Sequence, residues 1–309
     1  MFVIRHIKKF AIITAIIFLV AIGLILSLGL KPSIDFTGGS LTEVSYIEVP
    51  SEELVSERLE DVGISKYSIR ESSDESGNKG YIIRTKDLTE EERIEVTGSV
   101  AELGEGGEVI RFTTIGPVIG EELKGKAKWA IVAVVLVIVF YIAFAFRGLK
   151  KPVSSWVYGG ITIFALLHDV LVPIAVMSVL GAMFGVEVDV LFIMALLAVL
   201  GYSVNDTIVV FDRVRENLLI EEKKKTGVQF RDLVGKSLEQ SFVRSINTSF
   251  TTLLVLFSLY FLGSEVTKNF TFILIAGVIA GTYSSIFIAN PFLVLYAEWK
   301  AKRKKNLKI

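Results

Sequence analysis

The chain has 309 residues, 52% of them hydrophobic, and its 33 Lys plus Arg balance 33 Asp plus Glu. The absence of cysteine excludes disulfides, thiolate zinc sites and thiol catalysis. With no phosphate-loop or cofactor fingerprint either, we expect no enzymatic activity, no cofactor, no metal and no nucleic-acid partner.

Apolar runs about twenty residues long recur six times, near 10–30, 129–146, 153–183, 188–211, 246–263 and 270–297. At about 1.5 Å per helical residue each covers a hydrocarbon core of roughly 30 Å. The first follows Arg5, His6, Lys8 and Lys9. Its apolar stretch exceeds the ~7–15 residues of a secretory signal and no small-x-small site follows, so it reads as an uncleaved anchor. Orientation comes from the short loops. Lys and Arg number 3 before the first span, 3 at 147–151, 8 at 213–244 and 6 at 300–308, against the single Lys268 in the loops at 180–190 and 263–269. Both termini are therefore expected in the cytoplasm of a multi-pass protein of the cytoplasmic membrane.

The segment 31–126 then lies outside, with 21 acids against 11 bases. Residues 40–49 alternate as a strand, and SEELVSERLEDVG reads as a helix capped by Ser51; Leu54 stands where a capping box needs Glu. YSIRESSD and YIIRTK predict a hairpin around Gly77 and Asn78. A helix from Thr89 and a strand over EVIRFTTIGP complete the order β-α-β-β-α-β, a ferredoxin-like α+β domain. Its acidity serves solubility or offers a docking surface for a partner or an extended polypeptide.

Ionisable groups inside spans cost roughly 2.5–3.5 kcal/mol on insertion scales, so each needs a reason. His168 and Asp169 adjoin in the third span, Asp206 and Asp212 lie in the fourth, and Arg244 opens the fifth. Counted from the outer side, Asp206 is about 25 Å deep. Tyr202, Ser203, Asp206, Val210 and Arg213 share one helical face, and Arg244, Thr248, Thr251 and Thr252 form a stripe from the same cytoplasmic end. An Asp206–Arg244 pair follows, either a structural bridge or a proton switch, because a nearby guanidinium favours the charged form of an acid taken out of water. His168 and Asp169, adjacent and so diverging, read as helix fasteners, with Ser203 and Asn205 as further polar support. Gly277, Gly281, Ser285 and Ala289, four apart, mark a close-packing face. The stretch 213–243 predicts two short helices broken at Thr226-Gly227, the second amphipathic through Phe230, Leu233, Val234 and Leu238 and lying on the membrane surface.

SIDFTGGS at 33–40, GPVIG at 116–120, ALLHD at 165–169, GYSVNDTIVVFDRVREN at 201–217 and NTSFTTL at 247–253 together resemble the SecF family of the Sec protein-export machinery, end to end and in order. The resemblance implies half of a twelve-helix assembly of the resistance-nodulation-division type, completed by a SecD-like subunit. That assembly works with a SecYEG-type channel on a translocating polypeptide among membrane lipids, driven by the proton-motive force. It assigns Asp206 to the intramembrane proton relay and Arg244 to its accompanying arginine. Ser33 stands where the family has Gly, which bears on hinge geometry at that loop.

The organisation expected is thus a cytoplasmic N-terminus and first helix (1–30), an extracytoplasmic domain (31–126), a five-helix bundle (127–299) with the cytoplasmic segment 213–243, and a basic tail (300–309). Alternative readings are a half-transporter of the same superfamily exporting lipids or small molecules, and a passive assembly scaffold. An intramembrane hydrolase built on Ser203 and His168 lacks both GxSxG and HExxH.

Overall fold

The computed structural model describes residues 2–73, 79–147 and 153–306. The hairpin turn expected at Gly77 and Asn78, the basic residues Lys150 and Lys151, and the tail beyond 306 lie outside the described residues. The chain divides into two compact units, one of Met1–Leu30, Ala130–Met183 and Leu191–Ile309, the other of Lys31–Trp129 with Phe184–Val190.

The second, a sheet unit, opens with a single helical turn α3 (Ile34–Thr37), following α1 (Phe2–Arg5) and α2 (Ile7–Leu28) of the first unit. The Ser33 side chain caps α3 by accepting from the Asp35 amide, a bond that a glycine at this position would have no side chain to make. Gly38 and Gly39, at φ +72° and +125°, then turn the chain so closely past Pro117 and Thr85 that a Cβ would meet backbone atoms at 2.8 and 2.6 Å. Next come β1 (Gly39–Tyr46), α4 (Glu52–Asp61), β2 (Tyr67–Ser73), β3 (Lys79–Thr85), α5 (Glu90–Ala101) and β4 (Glu108–Ile115), the expected alternation. The sheet has the order β2-β3-β1-β4, with every pairing antiparallel.

Alternation along the strands decides what is buried. Val44, Tyr46, Tyr81 and Ile83 pack with Val55 and Leu59 of α4 and Val96 and Val100 of α5. Each such side chain contributes roughly 1.5–3 kcal/mol by leaving water. Ser51 caps α4, and α5 has a full capping box between Thr89 and Glu92. The unit takes in one stretch that periodicity could not assign to it. Phe184–Val190 joins through a parallel bridge between Pro32 and Val188, with Ser33 N–H to Val188 O and Val188 N–H to Lys31 O both at 2.8 Å.

The first unit holds the long apolar helices α2, α7 (Ser155–Phe184), α8 (Val190–Lys224), α9 (Phe230–Leu262) and α10 (Glu265–Ser284), the last continuing through a π-helical turn at Ser285–Ala289 into α11 (Asn290–Asn306). With α6 (Pro117–Ala145), which starts beside the sheet unit's last strand, there are among the described residues six helices long and apolar enough to cross a membrane. Most outrun their apolar stretches, because hydropathy registers only the length that would lie in hydrocarbon. Buried Phe146, Tyr158 and Phe211 stack and meet edge-on with one another, while α2 and α6 leave most of their apolar surface exposed.

One expectation for this unit changes and one is made specific. The segment 213–243 is no pair of surface helices: α8 and α9 run on without interruption to either side of a break at residues 225–229, where Lys225 and Gly227 take positive φ. The apolar face of its second half, Leu233, Val234 and Leu238, is buried against Ile4, Val214 and Ile286 and is therefore unavailable to a membrane surface. The small-residue stripe finds its partner within the chain. A Cβ on Gly277 would lie 2.1 Å from Val199 Cγ2, one on Gly281 would lie 3.0 Å from Ser203 Cβ, and Ser285 Oγ is 3.2 Å from Thr207 Oγ1. Positions 277, 281 and 285 thus interlock with 199, 203 and 207, a parallel α8–α10 seam.

Candidate functional site

That seam carries the polar groups. Asp169 on α7 is fully buried and held on both oxygens: Ser203 Oγ of α8 and Ser284 Oγ of α10 donate to Oδ2, the latter at 2.7 Å, and His168 Nδ1 lies 2.9 Å from Oδ1. Adjacent residues on a helix were expected to diverge, yet this pair closes on itself, and the ring of His168 lies among those of Phe18 and Tyr283. Its Nε2 is buried without a hydrogen-bond partner. The order Ser203–Asp169–His168 sets the acid between the hydroxyl and the imidazole. A nucleophile needs the base beside it, so the hydrolase arrangement is not built.

One turn beyond Ser203, Asp206 is also inside the bundle, 7% exposed. Hydroxyls of Ser245 on α9 and Ser285 on the π turn lie beside its carboxyl, but Oδ2 has no hydrogen-bond partner and neither has Ser245 Oγ. The two buried acids therefore differ in kind. Asp169 is a satisfied fastener, whereas Asp206 keeps open lone pairs and can take a proton or a new donor without first breaking a bond. The junction of α10 with the π turn supplies both serines, Ser284 to one acid and Ser285 to the other; such turns recur at functional sites. No group of three metal-ligating side chains occurs among the described residues.

The expected Asp206–Arg244 ion pair is not formed. Arg244 is exposed, as are Thr248 and Thr251, whose hydroxyls bond back to their own helix at Arg244 O and Asn247 O. Spacing defined this stripe correctly but could not say which way it faces. The inward face of α9 is Ser237, Ser241, Ser245 and Ser249, all buried, four serines four apart whose small size lets α8 and α10 approach. Tyr202 and Thr282 hydroxyls reach Ser249 at 3.3 and 2.7 Å. The spacing of four that marks this ladder stands in the sequence beside the charged stripe. Asn205, expected as polar support, is likewise exposed, on the side of α8 away from Asp169.

Similarity to known proteins covers both the site and the sheet unit. Residues 95–299 match the family described as protein export membrane protein SecD/SecF, C-terminal. The chain is 38% identical to the protein translocase subunit SecF of Thermobaculum terrenum over 90% of its own length and 87% of the relative's. It is also 38% identical to the SecF subunit of Anaerolinea thermophila, covering 91% and 89%. The crystal structure of SecDF from Thermus thermophilus, described as a translocon-associated membrane protein, superposes at a TM-score of 0.79 with 32% identity over 94% of this chain, which spans 38% of that longer one.

Proposed function

The chain belongs to the SecF family of Sec protein-translocase subunits, and on that premise we propose that it is one half of a motor that uses the proton-motive force to promote polypeptide export. The observation that carries this reading is the polar face left uncovered on spanning helices: Asn205 on α8, and Arg244, Asn247, Thr248 and Thr251 on α9. A charged side chain turned to lipid costs roughly 2.5–3.5 kcal/mol, so this face is one for protein. A SecD-type subunit covers it, completes a twelve-helix assembly and brings an acid to Arg244. Asp206, buried next in sequence to exposed Asn205 and with an unpartnered oxygen, takes up and gives up the transported proton. Arg244 acts from the interface rather than by a bond within this chain.

Both termini lie in the cytoplasm, in keeping with the 20 to 1 bias of basic residues counted over the short loops. The sheet unit, a ferredoxin-like split βαβ arrangement, sits on the opposite side of the cytoplasmic membrane. There it meets the polypeptide leaving a SecYEG-type channel.

The test is gradient-dependent export by the assembled complex carrying Asp206→Asn. We expect stimulation by the gradient to disappear while the complex still co-purifies. Unimpaired export would sink the relay, and a complex that falls apart would instead mark the chain as a passive scaffold.

A further inference from the structure

We propose that the short turn from α7 to α8 is a mechanical clamp, gripped by Asp35, Arg70, Arg84 and Glu187, that makes the start of the Asp206 helix move with the sheet unit. Four links converge on Phe184–Val190 from three separate parts of the sheet unit. Arg70 of β2 donates from Nη1 to Gly185 O at 2.6 Å and lies across the turn, its Cδ 3.3 Å from where a Cβ on Gly185 would stand. Arg84 of β3 pairs with Glu187, both side chains largely buried. The strand-like segment at Pro32 grips Val188 by two backbone hydrogen bonds. Asp35 Oδ2 accepts from the amide of Val190, the first residue of α8, at 2.9 Å, where a carboxylate is favoured by the helix's own dipole.

The charges are arranged for holding. Burial and the like charges of Arg70 and Arg111 push the Arg84 guanidinium down to about 10, which leaves it charged at physiological pH. Arg111 is already engaged by Glu43 at 3.1 Å, so Glu187 is the acid that answers Arg84. Backbone pairing alone would tether the turn; two arginines and an acid from separate elements fix it in three directions. From Val190 the helix runs unbroken to Asp206, about 24 Å, and a continuous helix carries a displacement at its first residue along its length.

What the clamp transmits rests on the proton-site reading of Asp206; that it grips does not. The full chain is assembled with its SecD-type subunit and a SecYEG-type channel in proteoliposomes, and gradient-stimulated export is compared for Arg84→Glu, Glu187→Arg and the double exchange. Each single reversal is expected to lower stimulation about tenfold while the subunits still co-purify, and the exchange to restore most of it. Arg70→Met, which removes the bond to Gly185 and one like charge near Arg84 but leaves the Arg84–Glu187 pair, is the milder second variant and is expected to fall between wild type and the reversals. Wild-type stimulation in the single reversals and Arg70→Met overturns the clamp, as does a double exchange no better than either single. Asp206→Asn run alongside separates the two ideas: normal export there with a rescued charge pair keeps the clamp and removes the relay, and the converse keeps the relay alone.

Discussion

The sheet unit and the helix bundle put different residues at the surface and put their polar groups to different uses. In the sheet unit, Val44, Tyr46, Ile83 and Val100 are inside, while Ser51, Thr89 and Glu92 spend their hydrogen bonds on helix ends at the surface. In the bundle, Leu19, Leu26, Val137 and Phe261 are outside and serines, an imidazole and two carboxylates are inside. Water makes an exposed serine unremarkable. In hydrocarbon a buried serine such as Ser203 or Ser284 can join two helices, and a carboxylate with a free oxygen is a place where something else must arrive.

Removing the polar centre should break the bundle hardest. Asp169→Ala strips partners from Ser203, Ser284 and His168 together, and we expect about 3–5 kcal/mol of lost stability, read by denaturant titration in micelles. A cost as small as that of a surface substitution would mean the cluster is not what joins α7, α8 and α10.

Next in size is the α8–α10 seam. Gly277→Ala drives a methyl into Val199 and should cost about 1–3 kcal/mol, recovered in part by Val199→Ala, whereas Gly201→Ala, with nothing within 4 Å, should leave the isolated chain within about 0.5 kcal/mol of wild type. Equal effects at the two glycines would contradict the interlocking face.

The sheet unit should respond more mildly. Tyr46→Phe loses the hydroxyl's 2.8 Å bond to Val100 O, a carbonyl that Leu103 N–H also satisfies. About 0.5–1.5 kcal/mol is expected from the slowest-exchanging amides of the sheet.

The smallest effect is a pH dependence. Hydrogen bonds from Lys86 and from the backbone and hydroxyl of Thr89 hold the Glu92 carboxyl down from 4.5 to about 2. A depressed acid stabilises fully above its unfolded value and loses that contribution as pH falls towards its folded one. Exchange protection at the start of α5 should therefore weaken between pH 4.5 and about 2, and Glu92→Gln should flatten that slope. An unchanged slope in the variant would assign the effect to another acid.

Much of this was legible in advance, for identifiable reasons. Six spans followed from run length, and the βαββαβ order followed from alternating strands and from the caps at Ser51 and Thr89, because those signals are local. Facing was not legible. Arg244 and Ser245 are neighbours in sequence, and only packing decides that the serine turns in towards Asp206 and the arginine out. The turn at 184–190 escaped for another reason: its place in the sheet unit depends on Pro32, Arg70 and Arg84, all distant in sequence. The face of Leu233, Val234 and Leu238 has the same pattern whether it meets a membrane or a bundle, and periodicity is silent about which.

The central proposal is that Asp206, not Asp169, exchanges a proton. Infrared difference spectroscopy across a pH step, on the complex in bilayers, reads the carboxylic-acid carbonyl band of a protonated acid directly. The account predicts a band that vanishes in Asp206→Asn and persists in Asp169→Asn; a band that survives Asp206→Asn, or that follows Asp169, would contradict it.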